Sequence, residues 1–290
     1  MSAVRCLWSL RAQLGEGPVY VEREHRVYFV DIKAPAVHAY DLDDGGRHTW
    51  PMPDLIGWLI PEQNGDGFIA GFRHAFARLW LEPGVRIELI DDPHPEHPGN
   101  RLNDAKRDAN GHIFAGSMHD TDPQQAVGAL FRLDRDDSWR VLDSGYHICN
   151  GPAISPDGRT LYHADSYLRR VYAYRLGADG TLSDRRLWRE FDPAEGEPDG
   201  MTCAADGSVW IAHWGGSRIS RFSAAGNLIE AVRLPVSQVT SCTFVDAAQE
   251  RLIVTSARVG LTDEQLKREP LAGGLFEIRL KHPVVATRTA

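Results

Sequence analysis

The sequence predicts an all-β fold: a six-bladed β-propeller with four antiparallel strands per blade, closed by an N-terminal strand that completes the last blade. Three observations carry this expectation. A short strand-like run recurs six times, as VYFV from Val27, FIAGF from Phe68, HIFAG from His112, TLYHA from Thr160, SVWIA from Ser208 and RLIVT from Arg251. That matches the period of about 40 to 50 residues that propeller blades leave in a sequence. Four of the six follow a turn dipeptide, Asp66-Gly67, Asn110-Gly111, Asp157-Gly158 or Asp206-Gly207, made of residues that tolerate the positive φ of a tight hairpin. Helical signal is nearly absent. Only Thr262 to Lys267 reads as a helix, with Thr262 or Asp263 as its cap and Pro270 as its stop.

Each repeated run is the second strand of its blade. Further on comes a run rich in β-formers, VHAYDL after Ala36, ALFRL after Gly128, VYAYRL after Arg170 and RISRF after Ser217, which supplies the third strand. More polar runs follow, SWRVL from Ser138 and LIEAVRL from Leu228, as expected of a strand at an outer edge. A β-sandwich would also show short strands at regular spacing, but six copies of one four-strand unit favour the ring. The last unit ends at LFEIRL near Leu275, and VRCLWSL from Val4 has no unit of its own, so it is expected to finish blade six. At this length residues 1–290 can form one domain with a large buried interior, and each blade is expected to carry its own core.

Composition removes several functions. Forty acidic against 32 basic residues give a formal charge of -8, and no Lys/Arg run offers a footprint for nucleic acid or an anionic membrane. Cys6, Cys149, Cys203 and Cys242 are far apart and form no CxxC pair, which argues against a disulfide framework or a zinc-thiolate site. No stretch of about 18 apolar residues suggests a membrane span, and the N-terminal segment lacks the apolar core and cleavage site of a signal peptide. A cytoplasmic monomer or weak homo-oligomer is expected.

First strands line the channel of a propeller and start at one face of the ring, so their opening residues converge. In order these are Glu16 in LGEGPVY, Asn103 in RLNDAKRD, Asn150 in NGPAISPDG and Asp199 in PDGMTCAADG, at equivalent positions of blades one, three, four and five. Two carboxylates and an amide oxygen aimed at one axis form a hard oxygen site suited to Ca²⁺, Mg²⁺ or Mn²⁺. Taken singly, each has a plainer reading. Asn150 and Asp199 precede glycine and could be turn residues, Glu16 and Arg101 could be solvated charges, and Asp104 could cap a turn through its side chain. The shared blade position favours the site. Strand parity brings the Met118–Val127 and Arg258–Ala272 loops, and the DDPHPEHPGN connection before Arg101, to the same face as walls for a pocket. His119, His147 and His213 fall near the channel as candidates for meeting substrate hydroxyls, not as metal ligands. Trp210, Trp214 and Tyr162 read as core or channel-wall aromatics.

The motifs GEGPVY around Glu16, RLNDAKRDANGHIFAGSM from Arg101, NGPAISPDGRTLYHADS from Asn150, PDGMTCAADGSVWIAHWGG from Pro198 and LAGGLFEI from Leu271 resemble the SMP-30/gluconolactonase family, which includes regucalcin and bacterial sugar lactonases. The resemblance spans nearly the whole chain. It implies one divalent metal ion, Ca²⁺ first and Zn²⁺, Mn²⁺, Mg²⁺ or Fe²⁺ as alternatives, on Glu16, Asn150 and Asp199, with Arg101 and Asn103 on the substrate. The Met118-His119-Asp120 run is similar to that of xylonolactonase-type members, which adds His119 and Asp120 as substrate-binding residues and implies a five-carbon aldonolactone such as xylonolactone or arabinonolactone.

A lactone needs its carbonyl polarised and a water delivered, and a cation with open positions serves both ends. Asp199 is the expected general base, with Asp104 as the alternative, while Asn103 and Arg101 steady hydroxyls or the developing oxyanion. No nucleophile elbow or Ser-His-Asp spacing points to an acyl-enzyme. The competing class is a non-catalytic, calcium-binding regulatory propeller, for which a walled pocket would have no purpose.

Overall fold

The computed structural model describes residues 3–63 and 65–280. After β1 (Ala3–Trp8), blade one consists of β2 (Gly15–Val21), β3 (Arg26–Asp31), β4 (Ala36–Asp41) and β5 (Arg47–Pro51). Blade two is β6 (Ile56–Pro61), β7 (Phe68–Phe72), β8 (Phe76–Trp80) and β9 (Arg86–Asp91). Blade three is β10 (Asn100–Arg107), β11 (Ile113–His119), β12 (Gly128–Leu133) and β13 (Trp139–Tyr146). Blade four is β14 (Cys149–Ile154), β15 (Thr160–Asp165), β16 (Arg170–Leu176) and β17 (Leu182–Glu190). Blade five is β18 (Glu197–Cys203), β19 (Val209–Trp214), β20 (Arg218–Phe222) and β21 (Leu228–Arg233). Blade six takes β22 (Val239–Phe244), β23 (Arg251–Ser256) and β24 (Leu275–Arg279) from the end of the chain and β1 from its start, in the order β22-β23-β24-β1. β1 runs antiparallel to β24 with Ala3 opposite Arg279 and Cys6 opposite Phe276. The six blades and the closing N-terminal strand are thus as the sequence predicts.

The radial order of the strands follows their polarity. Inner strands are nearly all buried, as in β10 and β14, whereas of the outermost strands β9 and β21 are mostly exposed and β13 is half exposed. The helix α1 (Asp263–Arg268) lies in the β23–β24 loop and is capped by Thr262, whose Oγ1 accepts from the Gln265 amide while Gln265 reaches back to the Thr262 N–H, a capping box.

Two expectations need correction. Gly111, Gly158 and Gly207 have positive φ as predicted, but Gly67 does not. A Cβ there would lie 2.8 Å from the Trp80 indole nitrogen, so close packing requires this glycine, not turn geometry. The second concerns the core. The sequence reading gave each blade its own, whereas the buried apolar residues gather between blades. Phe114 and Leu130 of blade three meet Leu161 and Tyr174 of blade four, and Val27 and Phe29 of blade one meet Ile253 and Leu275 of blade six. Six such clusters occur among the described residues, one per blade junction. A single twisted sheet has two faces and cannot bury either by itself, so each becomes half of a sandwich with its neighbour.

Candidate metal and substrate site

The inner strands share a local device at the channel mouth. In every blade the pairing of first with second strand slips, between Glu16 and Val19, Ile56 and Trp58, Leu102 and Ala105, Asn150 and Ala153, Pro198 and Met201, and Val239 and Ser241. Such bulges re-aim side chains, and here they occur where Glu16, Asn103, Asp104, Asn150 and Asp199 stand. Blade two offers nothing at this level because its residue is Gly57, where a Cβ would fall 2.5 Å from the Leu102 carbonyl oxygen of β10. Two aspartates fix how the chain approaches the site. Asp31, closing β3, accepts the backbone N–H groups of Gln13 (2.7 Å) and Leu14 (3.0 Å) just before Glu16. Asp165, closing β15, accepts that of His147 (3.1 Å) and the His147 ring Nδ1 (3.0 Å) just before Asn150.

A chain of hydrogen bonds crosses three blades. The buried Arg101 donates through Nε to Asp120 (2.8 Å) and through Nη1 to the Asn103 side-chain oxygen. Asn103 Nδ2 donates to Asn150 Oδ1 and to the Cys149 carbonyl, both at 2.7 Å. Asn150 Nδ2 donates to Ser166 Oγ (2.9 Å), which itself donates to the Pro198 carbonyl of β18 (2.6 Å). Each amide is thereby held one way round, and Asn150 Oδ1 keeps a lone pair for another partner.

The carboxylates are less satisfied. Asp199 is 4% exposed, yet its Oδ1 has no partner among the described residues. Burial, then the charge of Asp104, pushes Glu16 up to about 8. Burial, opposed by Lys106, takes Asp104 up to about 7, and burial together with Glu16, Asp104 and Glu197 lifts Asp199 well above the usual carboxylate range. Neighbouring buried acids with an orphaned oxygen are a set that a cation would satisfy. No group of three His, Cys, Asp or Glu side chains with metal-binding geometry occurs among the described residues. A cation here would therefore rest on Glu16, Asp199 and the amide oxygen of Asn150, an all-oxygen set that fits a hard ion.

Beside these groups opens a cavity of about 270 Å³, lined by Glu16, Arg101, Asn103, Asn150 and Asp199 together with Ser166, Glu197, Met118, Ile148, Leu14, Pro123 and Trp214. The structure thus brings five of the sequence-predicted residues to one place. Asp120 is not on the lining. It sits behind Arg101, shared by Lys33 Nζ (2.6 Å), Arg101 Nε and Arg73 Nη1 (3.6 Å); burial would raise its proton affinity, but Lys33 and Arg101 hold it below the usual carboxylate range. His119 is off the lining as well, its Nδ1 accepting from the Asp122 N–H (3.0 Å). Of the expected walls, the β11–β12 loop supplies Pro123, while the β23–β24 loop contributes nothing to the lining. Met118, which opens the expected Met118–Val127 wall, is on the lining as well. Sequence reasoning missed Glu197 and Ser166, although cross-strand pairing could have found the first, because Trp214, the last residue of β19, faces Glu197 at the start of β18. A larger cavity of about 900 Å³ lies at the opposite strand ends around Arg107, Asp157 and Arg175, where Asp157 is occupied by its own turn through Ser155 and the Arg159 N–H.

A family model described as the SMP-30/Gluconolactonase/LRE-like region matches residues 14–258. L-arabinolactonase of Azospirillum brasilense is 33% identical over 279 residues, covering 96% of this chain and 92% of that protein. Regucalcin of Danio rerio is 32% identical over 279 residues, covering 95% and 93%. The 6-deoxy-6-sulfogluconolactonase of Pseudomonas putida is 31% identical over 282 residues, covering 97% and 96%.

Proposed function

The chain belongs to the SMP-30/gluconolactonase/LRE-like family, and from that membership and the geometry of the channel mouth we propose that it hydrolyses a sugar-derived lactone with the help of one divalent cation. The observation that carries the proposal is the buried, unpartnered Asp199 Oδ1 beside Glu16 and Asn150, opening onto a cavity that also holds Arg101 and Asn103. Glu16, Asn150 and Asp199 would hold the cation, Ca²⁺ first. Bound there, it supplies Lewis-acid polarisation of the lactone carbonyl.

The remaining work falls to the chain. Asp199, whose proton affinity burial and its acidic neighbours raise, takes a proton from the attacking water as the water oxygen bonds to the carbonyl carbon. The ring C–O bond then breaks, and that proton passes to the departing alkoxide oxygen. Arg101, fixed by Asp120, presents its remaining Nη2 N–H to a ring hydroxyl or to the developing oxyanion without reorganising, while Asn103, both of whose amide N–H groups go to Asn150 and Cys149, acts by holding Arg101 and Asn150 in place. The small cavity and the L-arabinolactonase relative support a five-carbon aldonolactone, xylonolactone or arabinonolactone, as the substrate. A purely ion-binding role, which the regucalcin relatives suggest, would leave Arg101 and the walled cavity without a task. We place the reaction in the cytoplasm, in keeping with four free cysteines. Among the described residues no helix is long and apolar enough to cross a membrane.

The test is pH-stat hydrolysis of an aldonolactone panel after chelation and re-addition of single metals, with wild type and Asp199→Ala. The variant is expected to keep its far-UV circular dichroism and to lose both tight cation binding and turnover. Full turnover without a cation, or hydrolysis of γ-butyrolactone as efficient as that of sugar lactones, overturns the proposal.

A further inference from the structure

The polar groups lining the cavity divide into those already engaged and one that is not. Arg101, Asn103, Asn150 and Ser166 belong to the hydrogen-bonded chain, and Glu16 and Asp199 form the cation set. Glu197 remains. It opens β18, lines the same cavity, and makes no side-chain hydrogen bond or ion pair among the described residues. Its cross-strand partner is Trp214, which also lines the cavity while packing against the apolar cluster of Leu14 and Ala257 on the far side of the mouth.

We propose that Glu197 and Trp214 form a specificity subsite that reads the hydroxylated tail of the substrate and selects neutral polyhydroxylated lactones over those bearing an anionic group. This rests on the lactonase reading above. A carboxylate is an acceptor with two oxygens and room for two hydroxyl donors, and such charge-assisted bonds are stronger than neutral ones. The indole gives the C–H face of a sugar an apolar surface with a polar edge. A carboxylate beside an aromatic ring therefore matches the two sides of a polyol. The same carboxylate sets a like charge against a carboxylate, sulfonate or phosphate on the substrate tail, a juxtaposition that disfavours wrong partners.

The experiment compares wild type, Glu197→Gln, Glu197→Ala and Trp214→Phe, each Ca²⁺-loaded, on xylonolactone, on its mono-deoxy analogues and on an aldaric lactone carrying a free carboxylate. The Glu197 variants are expected to raise KM for xylonolactone on the order of tenfold, the scale of a lost hydrogen bond to a charged group, with a smaller change in kcat. Removing the hydroxyl that Glu197 reads should cost wild type the same factor and cost Glu197→Ala nothing further. The preference for xylonolactone over the aldaric lactone should fall by a similar factor in both Glu197 variants. A wild type that hydrolyses sugar lactones while the Glu197 variants keep its KM and its preference overturns this inference and leaves the lactonase reading intact. If wild type hydrolyses none of the lactones, the lactonase reading fails, and the part of the tryptophan fluorescence that Trp214→Phe loses, followed on titration with xylitol, decides the subsite. Quenching that is lost in Glu197→Ala supports it, and its absence in wild type overturns it.

Discussion

Ser166 is not a ligand in the proposed site, yet replacing it by Ala should weaken cation binding by a calculable amount. Its Oγ accepts from Asn150 Nδ2 at 2.9 Å and donates to the Pro198 carbonyl at 2.6 Å, in a residue 3% exposed. Removing it leaves a buried amide N–H without an acceptor, which costs about 1–3 kcal/mol in the cation-free protein, and frees the Asn150 amide to turn its nitrogen toward the cation. Losing an outer partner of a metal ligand commonly lowers affinity by about 10- to 100-fold. At saturating cation that removes about 1.4–2.7 kcal/mol of the stabilisation conferred by binding. At roughly 2–4 °C per kcal/mol for chains approaching this size, the Ca²⁺-induced rise in Tm should shrink by about 3–11 °C. The assay is a pair of thermal melts, chelated and Ca²⁺-saturated, for wild type and Ser166→Ala, backed by calorimetric titration. The chelated melts isolate the structural cost, and the difference between the two rises isolates the effect on the site. Equal Ca²⁺-induced rises in the two proteins would refute the argument, however much the variant is destabilised.

Other consequences follow from the same geometry. Asp120→Ala should lower kcat/KM on aldonolactones by about tenfold or more, the scale of losing a charge-assisted hydrogen bond, while barely altering cation affinity, because Asp120 acts by holding Arg101 Nε; unchanged steady-state kinetics would exclude that role. Phe131→Ala should cost about 3–5 kcal/mol in denaturant unfolding, since this fully buried ring packs on Phe76, His94 and Trp139 across the junction of blades two and three, and a loss below about 1 kcal/mol would contradict the inter-blade core. The chelated protein should lose stability as pH rises. Glu16 and Asp104 bind protons more tightly folded, at about 8 and about 7, than at their ordinary 4.5 and 3.8. Their contribution is thus fully present below about pH 4 and lost as pH climbs through 7 to 8. Melts of the chelated protein from pH 5 to 9, with the Ca²⁺-induced rise growing over the same interval, check the sign, and a chelated Tm that climbs with pH across that range would reverse it.

The ring was legible because blades repeat. Six similar second strands and an orphan VRCLWSL segment define it, and strand parity then places Glu16, Asn103, Asn150 and Asp199 at one mouth without reference to coordinates. What escaped was set by pairing instead of composition. The bulges at Leu102/Ala105 and Pro198/Met201 have no residue signature, so the sequence leaves Asp104 open between a turn cap and a candidate base, and the structure buries it. Glu197 stands two residues before Asp199 in a run that draws the eye to Asp199. Ser166 lies just beyond a strand end and acts on another residue's amide. His119 and Asp120 were adjacent to Met118, which does line the cavity, but alternation along β11 and the turn that follows it sent them elsewhere. The cores went to the blade junctions because period-2 alternation says which side of a strand is apolar and not which sheet will cover it.

The sixth blade, drawn from both ends of the chain, ties the site to the timing of synthesis. Glu16 leaves the ribosome well before Asp199, but β1 has nothing to pair with until β24 emerges after Leu275. Domains fold as units during translation, and here the unit is a closed circle whose final seam joins first strand to last. Until that seam forms, five sheets can stack as an open arc, with Glu16 at one end and Asp199 at the other. Ribosome-stalled chains ending before Leu275 should therefore contain every proposed ligand and still resist proteases poorly, with or without Ca²⁺. The metal centre would arise late and all at once, with the closing of the circle.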